Sequence, residues 1–270
     1  MNIAFISPIK HLHDAYATGY YMVLAQLLDQ PAYSKFYSPQ NIGRGTVILD
    51  NGAAENELIT DAELAKAIDC VQPSVVIAPD DLNSWENTVA LTERFLCESE
   101  PFKAARYHDA NIMVVPHGLT FEQWRLCLDQ LMTAADRHCK GHLWIGIARK
   151  HTFLTEQSAA FGRLELAQHC QRYYPDVPIH LLGLATNPLE INLFAQVGLR
   201  NVLGVDTALP WVAANHGVLF SKAGLLHRPS TWHSDEFAEY NQGTVHIAQA
   251  NMKWMLNGLA GREQASHWLK

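Results

Sequence analysis

The sequence predicts an α/β fold whose parallel sheet closes into a (β/α)8 TIM-type barrel. Three observations predict it. Short apolar runs alternate with longer amphipathic stretches at least six times, the pattern of strand–helix units that pair in parallel. Nearly every apolar run ends on a polar or glycine-bearing turn, as strands do when their C-terminal ends share one mouth. The length of 270 residues suits one barrel around one large core. An open doubly wound sheet is the competitor, but no Gly-x-Gly-x-x-Gly follows the first strand, which weakens a dinucleotide-binding version of it. No domain boundary is visible, so residues 1–270 read as a single domain.

In chain order, Asn2–Ser7 is the first expected strand, ended by Pro8, and Lys10–Ala17 is a polar, histidine-rich connection. Thr18–Gln30 carries Tyr21, Leu24, Leu27 and Leu28 at helical spacing and is expected to be a helix. Pro31–Gly45, with Tyr33, Phe36 and Tyr37, is expected to be a loop, too long for a plain connection. Thr46–Leu49 is a strand closed by Asp50-Asn51-Gly52. Thr60 with Glu63 forms a capping box opening a helix to Gln72. Ser74–Ala78 is a strand closed by Pro79-Asp80-Asp81, and Glu86–Glu98 is a helix. Asn111–Val115 is a strand closed by Pro116-His117-Gly118. Phe121–Ala135 follows as a helix, with Phe121, Trp124, Leu128 and Leu131 in register. Leu143–Ile147 is a strand running into Ala148-Arg149-Lys150, and Arg163–Tyr174 is a helix. Ile179–Leu184 is a strand; Asn187 and Pro188 then open a helix that stops at Gly198. Val202–Val205 is a strand with Asp206 at its end. That makes seven clear strands, with Gly217–Phe220 as the candidate eighth and Thr244–Leu259 as a final helix.

Composition narrows the class. Hydrophobic residues make up 48% and charged residues 17%, as in a globular enzyme rather than a disordered chain. No apolar run reaches membrane-spanning length and the N-terminus lacks a basic leader, so the expected location is the cytoplasm and no membrane partner is expected. Cys70, Cys97, Cys127, Cys139 and Cys170 are scattered, without a CxxC, which argues for free thiols in a reducing compartment. The net charge of −7 disfavours strong non-specific nucleic-acid binding but leaves room for a local basic face.

The strand ends carry the chemistry. Asp50, Asp80-Asp81, His117, Gly146 with Arg149, and Asp206 each close an apolar run. In a barrel these would converge on one mouth, and they are more numerous than the turn preference of Asp supplies. For Asp206 taken alone, capping of the next helix is the plain alternative.

From His180 to Trp211 the chain reads HLLGLATNP, a helix, then GVDTALPW. This resembles the end of the tRNA-guanine transglycosylase barrel, and the likeness extends over roughly Thr46 to Trp211. It implies that Asp206 is the nucleophile, with Leu209-Pro210 matching the Leu-Pro pair after it. LDNGAAE (Leu49–Glu55) is similar to the family's Asp-Ser-Gly-Gly motif and implies Asp50 as general acid/base. VIAPDD implies Asp80 as the base-recognising carboxylate, with Asp81 the alternative. VVPHGL places His117, followed by Gly118, where the family has a base-contacting Gln. GIARK is similar to the segment whose backbone contacts the base, here Gly146, Ile147 and Ala148.

The chain also departs from that family. No Cys follows Cys170, so the family's zinc-binding subdomain is lacking and no metal is expected. Ala54 stands where an aromatic sandwiches the base, leaving stacking to Trp85, Phe153 or Trp211. The Asp50-Asn51-Gly52-Ala53 form, the tyrosine-rich approach and the Pro-Asp strand end look closest to the phage DNA-guanine transglycosylases.

That resemblance implies a pentosyltransferase that replaces guanine in DNA with a 7-deazaguanine, such as 7-cyano-7-deazaguanine, through a covalent Asp–C1′ intermediate and without a cofactor. Its partners would be DNA rather than tRNA and the free base, with a homo-oligomer or partner subunit admitted; a phage-encoded chain would work in the host cytoplasm. The residue types suit the chemistry. A carboxylate attacking C1′ allows exchange with retention, and a second carboxyl group can give the leaving base a proton and take one from the incoming base. Arg149, Lys150 and His151, with Lys222, His227 and Arg228, are candidate phosphate contacts, against the alternative of ordinary solvated charge. Two other readings stand beside this one. One is a metal-dependent hydrolase using His11, His13, His117, His151 and Asp206. The other is a non-catalytic binding subunit on the same barrel.

Overall fold

The computed structural model describes residues 1–43, 45–53, 59–97, 99–139, 142–149, 162–184, 188–221 and 237–266. Its centre is one sheet of eight parallel strands: β1 (Asn2–Phe5), β2 (Tyr20–Leu24), β3 (Thr46–Asp50), β4 (Val75–Ile77), β5 (Asn111–Val114), β6 (Leu143–Ala148), β7 (Ile179–Leu182) and β8 (Val202–Thr207). The order is β1-β8-β7-β6-β5-β4-β3-β2, so strands consecutive in sequence are neighbours from β2 to β8. The sheet curls into a nearly closed (β/α)8 barrel. At the seam between β1 and β2, the Thr18 hydroxyl lies 2.8 Å from the Ile3 carbonyl oxygen and 2.9 Å from that of Tyr20.

Helices fill the connections and cover the outside. They are α1 (Pro31–Phe36), α2 (Pro39–Ile42), α3 (Asp61–Val71), α4 (Trp85–Leu96), α5 (Glu100–Tyr107), α6 (Phe121–Cys139), α7 (Gly162–Tyr173), α8 (Leu189–Val197), α9 (Leu209–Asn215) and α10 (Gln242–Ser266). The α3 capping box forms as its sequence demands: the Glu63 N–H donates to the Thr60 hydroxyl while the Glu63 carboxylate accepts from the Thr60 N–H at 2.7 Å. Gly198 ends α8 in the left-handed conformation at φ 70°. No helix among the described residues is long and apolar enough to cross a membrane.

Three expectations are corrected. Thr18–Gln30 is not a helix: it holds β2 and a 3-10 turn at Ala25–Leu27. A strand in a parallel barrel is covered on both faces, and Tyr20, Met22, Val23 and Leu24 are all buried. Such a run shows no alternation, and a helical template fits it by accident. Pro31–Gly45 is not an open loop. It contains α1 and α2, each with Pro in its first turn. Tyr33 and Tyr37 are buried, and the Tyr33 hydroxyl accepts from the Leu24 N–H at 3.0 Å, at the end of seam strand β2. Gly217–Phe220 does not join the sheet. Asn251 of α10 serves its backbone instead, accepting from the Phe220 N–H at 2.8 Å and donating to the Val218 carbonyl at 3.0 Å. No local pattern singles out α5, and α9 is expected only as the helix that Asp206 would cap.

Strand register fixes which side chains face the lumen. The Tyr20 ring reaches His180 across the barrel, so Tyr20 points inward. Its partner Thr46, and then Ile48 and Asp50 by alternation, share that face. On the other side Gly146, His180 and Gly204 are paired in register. Ala148, Leu182 and Asp206 follow two residues on, on the same inward face. Ile147, paired with Leu181, therefore faces the opposite way, toward the helices.

Candidate active site

Asp206 sits one residue before the C-terminal end of β8, in parallel register with Ala4 of β1. Only 7% of the residue is exposed. It does not cap α9; the Thr207 hydroxyl accepts from the Leu209 N–H at 3.0 Å instead. The Asp206 carboxylate is held asymmetrically. Its Oδ1 lies 3.0 Å from His180 Nε2 and accepts from the Gly183 N–H at 2.9 Å. Its Oδ2 has no hydrogen-bond partner among the described residues, and 10% of the side chain reaches solvent. Gly183 has φ +67°, a left-handed turn after β7 that L side chains rarely adopt and that aims its N–H at the carboxylate.

Behind Asp206 the contacts run inward. The Tyr20 hydroxyl lies 2.7 Å from His180 Nδ1, and His180 is fully buried. Burial, then the Asp206 charge, holds the Tyr20 phenol well above its ordinary range. The ring fits there because position 204 lacks a side chain: a Cβ on Gly204 would stand 2.6 Å from the Tyr20 ring carbons.

A buried guanidinium flanks the same site. Arg163, in the first turn of α7, donates from Nη1 to the Gly183 carbonyl at 2.6 Å and lies 3.5 Å from Glu190. Burial lowers its pKa, while the Glu190 and Asp206 charges oppose that shift. Arg149, exposed just beyond β6, packs its stem 3.7–3.8 Å from the Cβ position of Gly183. This candidate phosphate contact therefore borders the turn that holds Asp206.

A second polar cluster lies beyond β3, β4 and β5. Asp80 is 5% exposed and fully engaged: Oδ1 accepts from the Asn51 amide at 2.7 Å and Oδ2 lies 2.5 Å from His117 Nε2. Asn51 also donates to the Ala78 carbonyl at 2.9 Å and accepts from the Ala53 N–H, tying the turn after β3 to the end of β4. Asp80 and His117 are thus a bonded pair rather than two separate contacts waiting for a base.

Asp81 points elsewhere. It accepts from the Asn83 N–H and the Asn87 amide, and its own N–H donates to Thr88. The Asn87 bond, then that from the Asn83 backbone, lowers its pKa. Asp81 builds the turn into α4, whereas Asp80 is bonded to Asn51 and His117. Gly118 and Gly146 answer to packing: a Cβ on Gly118 would lie 2.4 Å from the Trp124 backbone nitrogen, and one on Gly146 would lie 2.9 Å from Leu182 Cδ1.

Several other candidates have structural partners. His11 Nδ1 lies 2.8 Å from Asp14 and its Nε2 accepts from the Tyr240 N–H at 2.9 Å, so both ring nitrogens are engaged. Exposed His13 lies edge-on to Phe36. Among the described residues no three His, Cys, Asp or Glu side chains form a group that could hold a metal. Trp211 is not available for stacking on a base: it is 2% exposed, donates to Ser7 and stacks on Tyr240 at 5.9 Å. Trp85 is half-buried in the first turn of α4. Lys150, His151, Ala54, Phe153, Lys222, His227 and Arg228 lie outside the described residues.

Sequence reasoning missed Tyr20, Arg163, Asn51 and the role of His180. The available signal was a polar residue inside an otherwise apolar strand, as with His180 in Ile179–Leu182. Such a residue needs a buried partner.

No family model matches the chain, and no curated protein matches it. Among solved structures it is similar to the D-psicose 3-epimerase with D-tagatose from Clostridium cellulolyticum H10. The identity is 12%, with 96% of this chain and 99% of that one covered at a TM-score of 0.49. It is also similar to the glycerol uptake operon antiterminator regulatory protein from Listeria monocytogenes str. 4b F2365. There the identity is 13%, with 77% of this chain and 92% of that one covered at a TM-score of 0.44.

Proposed function

We propose that the protein exchanges guanine in DNA for a 7-deazaguanine, with Asp206 as the nucleophile. The asymmetry of the Asp206 carboxylate carries this reading. Two donors fix Oδ1, while Oδ2 is left without a hydrogen bond among the described residues, at the mouth of the lumen. Asp50 stands on the same inward face at the end of β3, a second carboxyl group for the proton.

In the proposed reaction Oδ2 attacks C1′ of the target nucleotide and the C1′–N9 bond breaks, its electron pair leaving with guanine. Asp50 gives the departing base a proton. The incoming 7-deazaguanine loses its N9 proton to Asp50, and N9 then attacks C1′ and releases Asp206. Two displacements at C1′ give net retention. Base recognition would fall to the Asp80–His117 pair. The two donors of the guanine edge would replace the imidazole on Asp80, and His117 would turn toward O6. Arg149 beside the mouth suits a phosphate of the same strand. The choice of DNA over tRNA rests on the resemblance of the Asp50–Ala53 motif and the Pro79-Asp80 strand end. It does not rest on Tyr33 and Tyr37, which are core residues.

The test is incubation with labelled guanine and either duplex DNA, single-stranded DNA or tRNA. Label should enter DNA, faster where the target guanine is unpaired, because flipping is then less costly. A denaturant-resistant protein–DNA adduct should form. Asp206→Asn should abolish both while keeping the fold. Exchange only into tRNA would overturn the choice of polymer. Normal turnover by Asp206→Asn, or no exchange into any polymer, would overturn the reaction.

A further inference from the structure

We infer that Tyr20 and His180 are positioning residues for Asp206, the Tyr20 phenol selecting the His180 tautomer that donates to the nucleophile. The inference rests on the reading of Asp206 as nucleophile and adds two groups that never touch the substrate. A neutral imidazole has one N–H and one bare nitrogen, so the partner of one nitrogen dictates the state of the other. The Tyr20 hydroxyl is buried, and its hydrogen-bond partner is His180 Nδ1 at 2.7 Å. A buried phenolic O–H needs an acceptor, so Nδ1 is the bare nitrogen. The phenol keeps its proton, because burial and the Asp206 charge both oppose ionisation.

The imidazole proton is then on Nε2, 3.0 Å from Asp206 Oδ1. Oδ1 receives one hydrogen bond from the ring and one from the Gly183 N–H. The opposite tautomer would present a bare Nε2 to the carboxylate. Two acceptors would then face each other unless Asp206 took up a proton, which would quench it as a nucleophile. Gly204 completes the device, because any side chain there collides with the Tyr20 ring. The lumen-facing residues of β2, β7 and β8 thus form one chain of contacts ending at Oδ1, with Oδ2 left to react.

The test uses the full chain labelled with 15N-histidine, with His180→Gln to assign the His180 signals. In the wild type His180 should carry its proton on Nε2 and show a bare Nδ1. Tyr20→Phe removes the donor to Nδ1 at almost constant volume and should turn this pattern into a mixture of tautomers. Its kcat for base exchange should fall about tenfold with KM for the base unchanged, the effect of losing one ordinary hydrogen bond from a rate. Gly204→Ala should reproduce the mixture by displacing the ring. A proton on Nδ1 in the wild type would overturn the inference, as would a Tyr20→Phe protein with unaltered His180 signals. A fall in thermal stability without a tautomer change would reduce Tyr20 to a packing residue and overturn it as well. If the wild type exchanges no base, the proposed function fails, while the histidine spectra still decide the relay.

Discussion

At the scale of single residues, adjacent positions with the same side chain do different work. Asp80 is a buried acceptor between Asn51 and His117, whereas Asp81 holds the turn into α4. Removing the Asp80 carboxylate leaves two buried donors without their acceptor, at about 1–3 kcal/mol each. Asp80→Ala should therefore lower the thermal unfolding midpoint and weaken calorimetric binding of guanine and of 7-deazaguanines alike, since these share one hydrogen-bonding edge. Asp81→Ala loses bonds to a helix start, worth about 1 kcal/mol, and should leave base affinity unchanged. Equal base affinity in Asp80→Ala and wild type would remove Asp80 from the binding site. Sequence alone left that choice open, because both residues stand in one polar turn and only the direction of each side chain separates them.

At the scale of elements, local chemistry sets helix ends and tertiary demand sets strands. The Thr60–Glu63 box is local. The Thr60 backbone N–H, then its hydroxyl, holds the Glu63 carboxyl below its ordinary range. A depressed carboxyl pKa contributes stability that is present above the unfolded-state value and is lost as pH falls through the folded-state value. Thr60→Ala should cost about 1 kcal/mol at neutral pH and less once Glu63 is protonated in both states. Unfolding midpoints of wild type and variant should therefore converge below the ordinary glutamate range. A gap that stays constant with pH would mean that the Glu63 carboxylate adds nothing to the cap. The β2 segment behaves oppositely. Its residues tolerate a helical template, and a strand forms there because the sheet is completed by pairing β2 with β3 and packing it beside β1 at the seam.

For the whole molecule, the barrel and its helical jacket decide which groups meet water. Cys127, Cys139 and Cys170 are buried, whereas Cys70 and Cys97 are exposed on α3 and at the end of α4. Burial pushes the Cys139 thiol up to about 11 and that of Cys170 higher still. A thiol reagent at neutral pH should therefore modify Cys70 and Cys97 in the native protein and reach Cys127, Cys139 and Cys170 only on unfolding. Fast native modification of Cys170 would mean that α7 is not seated on the barrel as described.

The alternation of strands and helices, the α3 box, the stop at Gly198 and the polar strand ends are all legible in the chain. Each of these is written in short-range spacing, or in one residue type with one conformational property. Tertiary structure alone made Thr18–Gln30 supply β2 rather than a helix. Only it joined Asp80 to His117 and backed Asp206 with His180 and Tyr20. Tyr20 and His180 are 160 positions apart, and no local pattern links them. They meet because β2 and β7 face each other across a lumen that closes only when all the strands are in register. A buried hydrogen bond between distant strands is a property of that closure.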